Sequence, residues 1–200
     1  MRIIAGEFRG RELLGPKSDR TRPITDRAKQ SLFDALAVAV DLTGATILDC
    51  FCGTGSMGLE SLSRGAARAI FVEQDRAALA ALGGNIDRLG VRDRCRVLSQ
   101  NAYRLPMLLQ SGEAAPVQLQ VAFVDPPYAH MENPRQRGKI EALITALAGA
   151  WMRPDGLMIV RHPTAVALDA PVLAPLVVRR LQYGSMGVTW LAPQGRKNEG

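Results

Sequence analysis

The sequence predicts an α/β protein built on a mostly parallel sheet, and three observations predict it. Apolar runs of strand length alternate with helical periodicity from Thr46 onward. Glycines punctuate the joins, at Gly65, Gly90, Gly112 and Gly156. The alternation stops near the C terminus, where two strand-like runs follow one another with only a turn between them. Strand, helix, strand repeated in this way means parallel strands with crossover helices on both faces.

In chain order, Ile3-Ile4-Ala5 and Leu13-Leu14 flank a Gly/Arg-rich centre and predict a small hairpin. Thr25 and Asp26 open a helix in which Ala28, Leu32, Leu36 and Ala39 share a face. Strands are predicted at Thr46–Cys50, Arg68–Glu73, Arg94–Ser99, Leu119–Val124 and Leu157–Arg161. Helices are predicted near Ser56–Ser63, Arg76–Leu89, Tyr103–Gln110 and Lys139–Ala150. Leu176–Tyr183 and Val188–Leu191 form a closing hairpin around a turn at Gly184-Ser185-Met186-Gly187. The sum is a Rossmann-like, seven-stranded, mostly parallel sheet with a C-terminal antiparallel hairpin and a small N-terminal extension. The expected division is 1–43 for that extension, 44–193 for the main domain and 194–200 for a polar, frayed tail.

Two hundred residues suit one domain with a full core. A formal charge of +6 favours a polyanionic partner without proving one. Cys50, Cys52 and Cys95 are odd in number and lack CxxC spacing, which argues against a disulfide framework and a zinc site and for a cytoplasmic protein. The N terminus lacks a signal-peptide core, and no run approaches the roughly 20 apolar residues a membrane span needs.

The strongest local signal is the loop after the first strand of the alternation. Gly53, Gly55 and Gly58 satisfy G-x-G-x-x-G spacing between a strand and a helix, and Glu73 ends the next strand where a ribose-binding acid belongs. Alone, that pattern fits a dinucleotide equally well. Asp49, beneath the glycine turn, decides against it. A pyrophosphate there would meet a fixed carboxylate, with repulsion of about 4 kcal/mol for unit charges 4 Å apart at intermediate dielectric. S-adenosylmethionine brings an ammonium instead. Asp49 then suits the methionine end and Glu73 the ribose hydroxyls; Phe51, Cys52, Thr54 and Gln74 complete the expected cofactor lining. Asn101-Ala102, after the third strand, stands where an adenine contact would fall. The plainer alternative is that Asp49 caps the turn, Glu73 is an exposed strand end and Asn101 is a turn residue.

Asp125-Pro126-Pro127-Tyr128 closes an apolar strand. Two prolines stiffen the backbone and remove two N–H donors, so a carboxylate and the Pro126 carbonyl become neighbouring acceptors. An exocyclic amine on a nucleic-acid base has two hydrogens to match them. Holding both would pull the nitrogen toward a tetrahedral shape and aim its lone pair at the sulfonium methyl. Tyr128 would stack on the flipped base. A Pro-rich turn with Tyr128 as a core lid is the bland reading of the tetrapeptide in isolation. Methylation at a base carbon would need a nucleophilic thiol, and none of the cysteines is placed for it. His130 could line the base pocket, with an exposed loop residue the plainer reading, and His162 reads as a structural strand-end residue.

Over nearly its whole length the chain resembles the bacterial RsmD family of 16S ribosomal RNA guanine-N2 methyltransferases. The resemblance rests on Arg2-Ile3-Ile4-Ala5-Gly6, Arg9-Gly10-Arg11, Thr21-Arg22-Pro23-Ile24-Thr25-Asp26-Arg27, the glycine loop, Leu62-Ser63-Arg64-Gly65-Ala66, Phe71-Val72-Glu73, the Asp125 tetrapeptide and His162-Pro163. It implies a monomeric, metal-independent enzyme that uses S-adenosyl-L-methionine on ribosomal RNA or the small subunit. It also implies that Arg9, Arg11, Arg22 and Arg27 contact RNA phosphates. Asn101, Arg161 and Ser185 depart from the family pattern, where Asp, an acidic residue and Asp-Thr after the glycine are expected. An adenine-N6 or cytosine-N4 methyltransferase on DNA or another RNA stays open, as does a non-catalytic RNA-binding assembly protein on the same fold.

Overall fold

The computed structural model describes residues 1–15, 24–110 and 117–193. The chain divides into two compact units, Met1–Gln100 and Asn101–Gly200. The expected tail and the arginine at position 22 lie outside the described residues.

The first unit opens on the predicted hairpin. Arg2 bridges Glu12 antiparallel, and the Ile3 N–H donates to the Arg11 carbonyl at 2.9 Å. Helix α1 (Asp26–Ala39) starts at Thr25, whose hydroxyl accepts the Ala28 N–H as an N-cap should. Then come β1 (Thr46–Cys50), α2 (Ser56–Ser63), β2 (Arg68–Glu73), α3 (Arg76–Leu89) and β3 (Cys95–Ser99). The three strands are parallel in the order β3-β2-β1, with Ile47 opposite Ala69 and Ile70 opposite Arg96. Arg94 belongs to a short 3-10 turn, not to β3 as expected, because its guanidinium turns back to the Leu62 and Ala66 carbonyls at 2.8 and 2.7 Å.

One expectation for α1 needs correcting. Its buried face is Lys29, Leu32, Phe33 and Leu36, with Ala28 and Ala39 only half-buried. Lys29 is fully buried because its ammonium donates to the Arg2 carbonyl at 2.6 Å and to the Ser56 hydroxyl at 3.1 Å, and lies 3.4 Å from Glu60. Glu60, also fully buried, accepts the Ile4 and Ala5 N–H groups at 2.8 and 3.1 Å and pairs with Arg64 at 2.8 Å. The hairpin, α1 and α2 are thus tied by one satisfied polar knot. Gly6 closes the arrangement: at φ +84°, a Cβ there would stand 1.8 Å from the Ser63 carbonyl oxygen.

The second unit holds α4 (Leu105–Gln110), β4 (Leu119–Val124), α5 (Tyr128–Glu132), α6 (Pro134–Ala150), β5 (Met152–Pro163), β6 (Val177–Tyr183) and β7 (Met186–Leu191). β4 and β5 are parallel, and β7 pairs antiparallel with both β5 and β6. The parallel strands and closing hairpin are those the alternation predicts. The details differ. Tyr103 sits in a 3-10 turn ahead of α4, which begins at Leu105. α6 starts at Pro134, not near Lys139, since Asn133 caps it and proline suits the first helical turn. β5 is longer than Leu157–Arg161. The closing turn is Gly184-Ser185 alone; Gly187 is a β7 residue, and a Cβ on it would meet His162 Cε1 at 2.5 Å.

Candidate active site

In the first unit the glycine turn is built by three different demands. Gly53 has φ +55°, and a Cβ on it would meet open space. Gly55, at φ +84°, closes the turn, and a Cβ there would strike Leu82 at 2.4 Å. Gly58 lets α2 lie on β2, because a Cβ would fall 2.4 Å from the Phe71 ring. Phe51 is the one non-glycine with positive φ among the described residues, at 58°. A bulky side chain in that region is strained, the kind of distortion that clusters at ligand sites. Sequence reading placed Phe51 in the lining but had no signal for its backbone.

The two acids are both engaged within the fold. Asp49 is 1% exposed, and its Oδ2 accepts the Gly58 N–H at 2.8 Å, so it does hold the turn as the plainer reading has it. Glu73 is half-buried. Its carboxylate accepts from Gly53 N at 2.9 Å, Gln74 N at 2.8 Å and Asp75 N at 2.9 Å. A carboxylate offers about four lone-pair directions, so roughly one is left for a hydroxyl donor. The loop, Asp49, Glu73 and Gln74 are thus brought together. Burial, helped by the Asp49 charge, pushes the Cys50 and Cys52 thiols well up, which makes both inert as nucleophiles. Thr54 is held from behind by Asn85, a buried α3 residue that sequence reasoning missed. Its amide donates to the Thr54 carbonyl at 3.0 Å and to the Leu14 carbonyl at 3.2 Å, and accepts the Leu14 N–H at 2.7 Å.

The second unit carries the tetrapeptide. Asp125 follows β4 directly, with its side chain 27% exposed, and its Oδ2 takes a hydrogen bond from Arg161 Nη1. Burial pushes the Asp125 carboxyl above the usual carboxylate range, and the Arg161 charge offsets only part of that rise. Arg161 is buried on β5 and donates its Nε to Met186 Sδ at 3.1 Å. The Pro127 carbonyl accepts the His130 N–H at 2.8 Å and starts α5. No described residue donates to the Pro126 carbonyl. Tyr128 is half-buried at the first position of α5.

His130 corrects another expectation. It lies in α5, half-buried, with Nδ1 2.8 Å from the Tyr103 hydroxyl. His162 is buried, Nδ1 to the Pro163 carbonyl and Nε2 to the Thr189 hydroxyl, both at 2.9 Å, a structural residue as expected. Asn101 caps the 3-10 turn by accepting the Tyr103 N–H at 2.9 Å, and Ala102 is buried. Arg9, Arg11 and Arg27 are exposed.

A family model described as conserved hypothetical protein 95 matches residues 1–191. The chain belongs to this family. Its relatives within RsmD-type rRNA methyltransferases carry the same outline. The Escherichia coli (strain K12) protein named ribosomal RNA small subunit methyltransferase D is 40% identical over 162 residues, covering 80% of this chain and 73% of its own. The protein of the same name from Haemophilus influenzae is 31% identical, covering 88% of this chain and 83% of its own. A solved structure of a hypothetical protein from Thermus thermophilus is 31% identical, with a TM-score of 0.74 over 96% of this chain and 99% of that one. The Rossmann-like family fold is therefore the fold of this chain.

Proposed function

We propose that this family member transfers the methyl group of S-adenosyl-L-methionine to the exocyclic N2 amine of a guanine in 16S ribosomal RNA of the small subunit. The observation that carries the proposal is the Asp125 carboxylate, fixed at the end of β4 by Arg161 and followed by a proline carbonyl to which no described residue donates. The relatives named ribosomal RNA small subunit methyltransferase D support the substrate class.

The first unit fits the cofactor. S-adenosyl-L-methionine supplies an electrophilic methyl on a sulfonium and carries no phosphate. Gly53 opens onto space that a side chain would fill, and Glu73 keeps an acceptor direction for a ribose hydroxyl. A second hydroxyl would displace the Gly53 N–H. The buried Asp49 charge acts through its field: it favours an ammonium over the turn and disfavours a pyrophosphate. Phe51, Cys52, Thr54, Gly55, Gly58 and Gln74 shape the turn, and Asn101 and Ala102 are the proposed adenine side.

Asp125 Oδ1 and the Pro126 carbonyl are the proposed acceptors for the amine hydrogens. Guanine offers N1–H and N2–H side by side, which suits an ionised carboxylate, whereas adenine sets an acceptor next to its amine. Asp125 stabilises positive charge growing on nitrogen and receives its proton; Tyr128 stacks on the base. Arg9, Arg11, Arg22 and Arg27 are the proposed phosphate contacts, and a monomer is the proposed active species.

The deciding assay incubates the protein with methyl-labelled S-adenosylmethionine and small subunits, naked ribosomal RNA or genomic DNA, then maps the labelled base. Label on a guanine N2 of 16S RNA is expected. Label on DNA, or on adenine or cytosine, would overturn the substrate. Asp125→Ala should abolish turnover and bind S-adenosylhomocysteine normally; normal turnover would remove the amine clamp.

A further inference from the structure

We propose that a second RNA-backbone surface lies on the second unit, formed by Arg104, His130, Arg135 and Lys139 with the ring of Tyr103. The inference rests on the functional reading above and adds to it a surface distinct from the N-terminal arginines.

Three features of this cluster lack a structural explanation. Arg104, Arg135 and Lys139 are exposed cations, and none pairs with a carboxylate among the described residues. Arg135 and Lys139 lie four residues apart on α6, so they share one face of the helix. The first turn of α6 carries no acid, and a cation there, as at Arg135, costs stability rather than adds it. The placement of Arg135 is therefore not explained by the helix itself.

The aromatic centre is held in place. Lys139 Nζ lies 5.8 Å from the Tyr103 ring centroid, and the His130 ring is 5.9 Å from it. Burial pushes the Tyr103 phenol up to about 12, so it keeps its proton and donates it to His130 Nδ1 at 2.8 Å. With the Tyr103 hydroxyl as donor to Nδ1, the ring hydrogen of His130 sits at Nε2. No described residue accepts that Nε2–H. One donor and one cation at a fixed aromatic ring, with Arg104 next to it in the chain and Arg135 one helical turn before Lys139, suit an oxygen-rich anion, and an anionic chain with unstacked bases fits best.

The test compares wild-type protein with the Arg135→Ala/Lys139→Ala variant, binding naked 16S RNA and intact small subunits across a salt series. Both positions are exposed, so S-adenosylhomocysteine affinity should not move and the melting temperature should hold or rise slightly. RNA affinity should fall on the order of tenfold, and the slope of log K against log salt should flatten by about 1.5. Equal affinity and equal slope would overturn the surface while leaving the methyltransferase reading intact. Loss confined to intact subunits, with naked RNA bound normally, would assign the surface to an acidic protein and overturn it too. Failure of the wild-type protein itself to bind or methylate ribosomal RNA would remove the functional reading and this surface with it.

Discussion

Arg161 and Asp125 are joined across parallel strands. The register that sets Val124 opposite Val160 brings the next residue of each strand together, and Arg161 Nη1 donates to Asp125 Oδ2. Arg161 is buried, and its Nε is anchored on Met186. Burial raises the Asp125 carboxyl above its ordinary value, and the Arg161 charge opposes part of that rise. Arg161→Met should therefore raise the Asp125 pKa and move the acid limb of the kcat profile to higher pH. Releasing a positioned acceptor should also cost about 100-fold in kcat at neutral pH. S-adenosylhomocysteine affinity should stay the same. An unshifted acid limb would show that Arg161 serves packing alone.

Glu60 holds the N-terminal hairpin to the rest of the first unit. It gathers two backbone N–H groups, Lys29 and Arg64 with no exposure to water. Glu60→Gln keeps the volume but strands the Lys29 charge, so urea denaturation should show a loss of about 3–5 kcal/mol. Lys29→Met should cost less, because Glu60 retains Arg64 and both backbone donors. A Glu60→Gln protein as stable as the parent would mean that Lys29 is buried in its neutral form.

Such knots are where sequence reading runs out. β1, α2, β2, α3 and β4 stand where their periodicity places them, because an apolar run between punctuating glycines specifies an element locally. The tetrapeptide and the glycine turn were legible for the same reason: their chemistry depends on residue type at short spacing. Lys29 was not, since a lysine on an apolar helical face reads as a solvated edge unless its partner, far along the chain, is known. α5 is a single turn started by the Pro127 carbonyl, too short for any period to show. Arg161 did leave a trace: a charge directly after the run Leu157–Val160 in a strand buried on both faces. Gly187 looked like turn chemistry because spacing alone cannot tell a turn glycine from one that yields space to an imidazole.

That space is narrow. A methyl at position 187 would overlap His162 Cε1 at 2.5 Å and Nδ1 at 2.9 Å, and both strands are buried there. Gly187→Ala should cost about 1–3 kcal/mol, as overpacking does. In the Gly187→Ala/His162→Ala double variant the clash is gone, so the two losses should be markedly less than additive. Additive losses in a double-mutant cycle would place the strain elsewhere.

His162 also sets a pH limit on stability. His162 is buried with Nδ1 on the Pro163 carbonyl and Nε2 on the Thr189 hydroxyl, and that burial penalises the charged ring. Burial accordingly lowers its pKa below the ordinary value of 6.5. The unfolded chain then takes up this proton at higher pH than the folded one. The contribution is fully present above about pH 6.5 and is lost as pH falls toward the folded pKa. Urea midpoints measured from pH 7.5 down to 5 should decline, and the decline should be shallower in His162→Gln, whose amide can offer a donor and an acceptor without titrating. Parallel curves for the two proteins would show that other groups control the acid side.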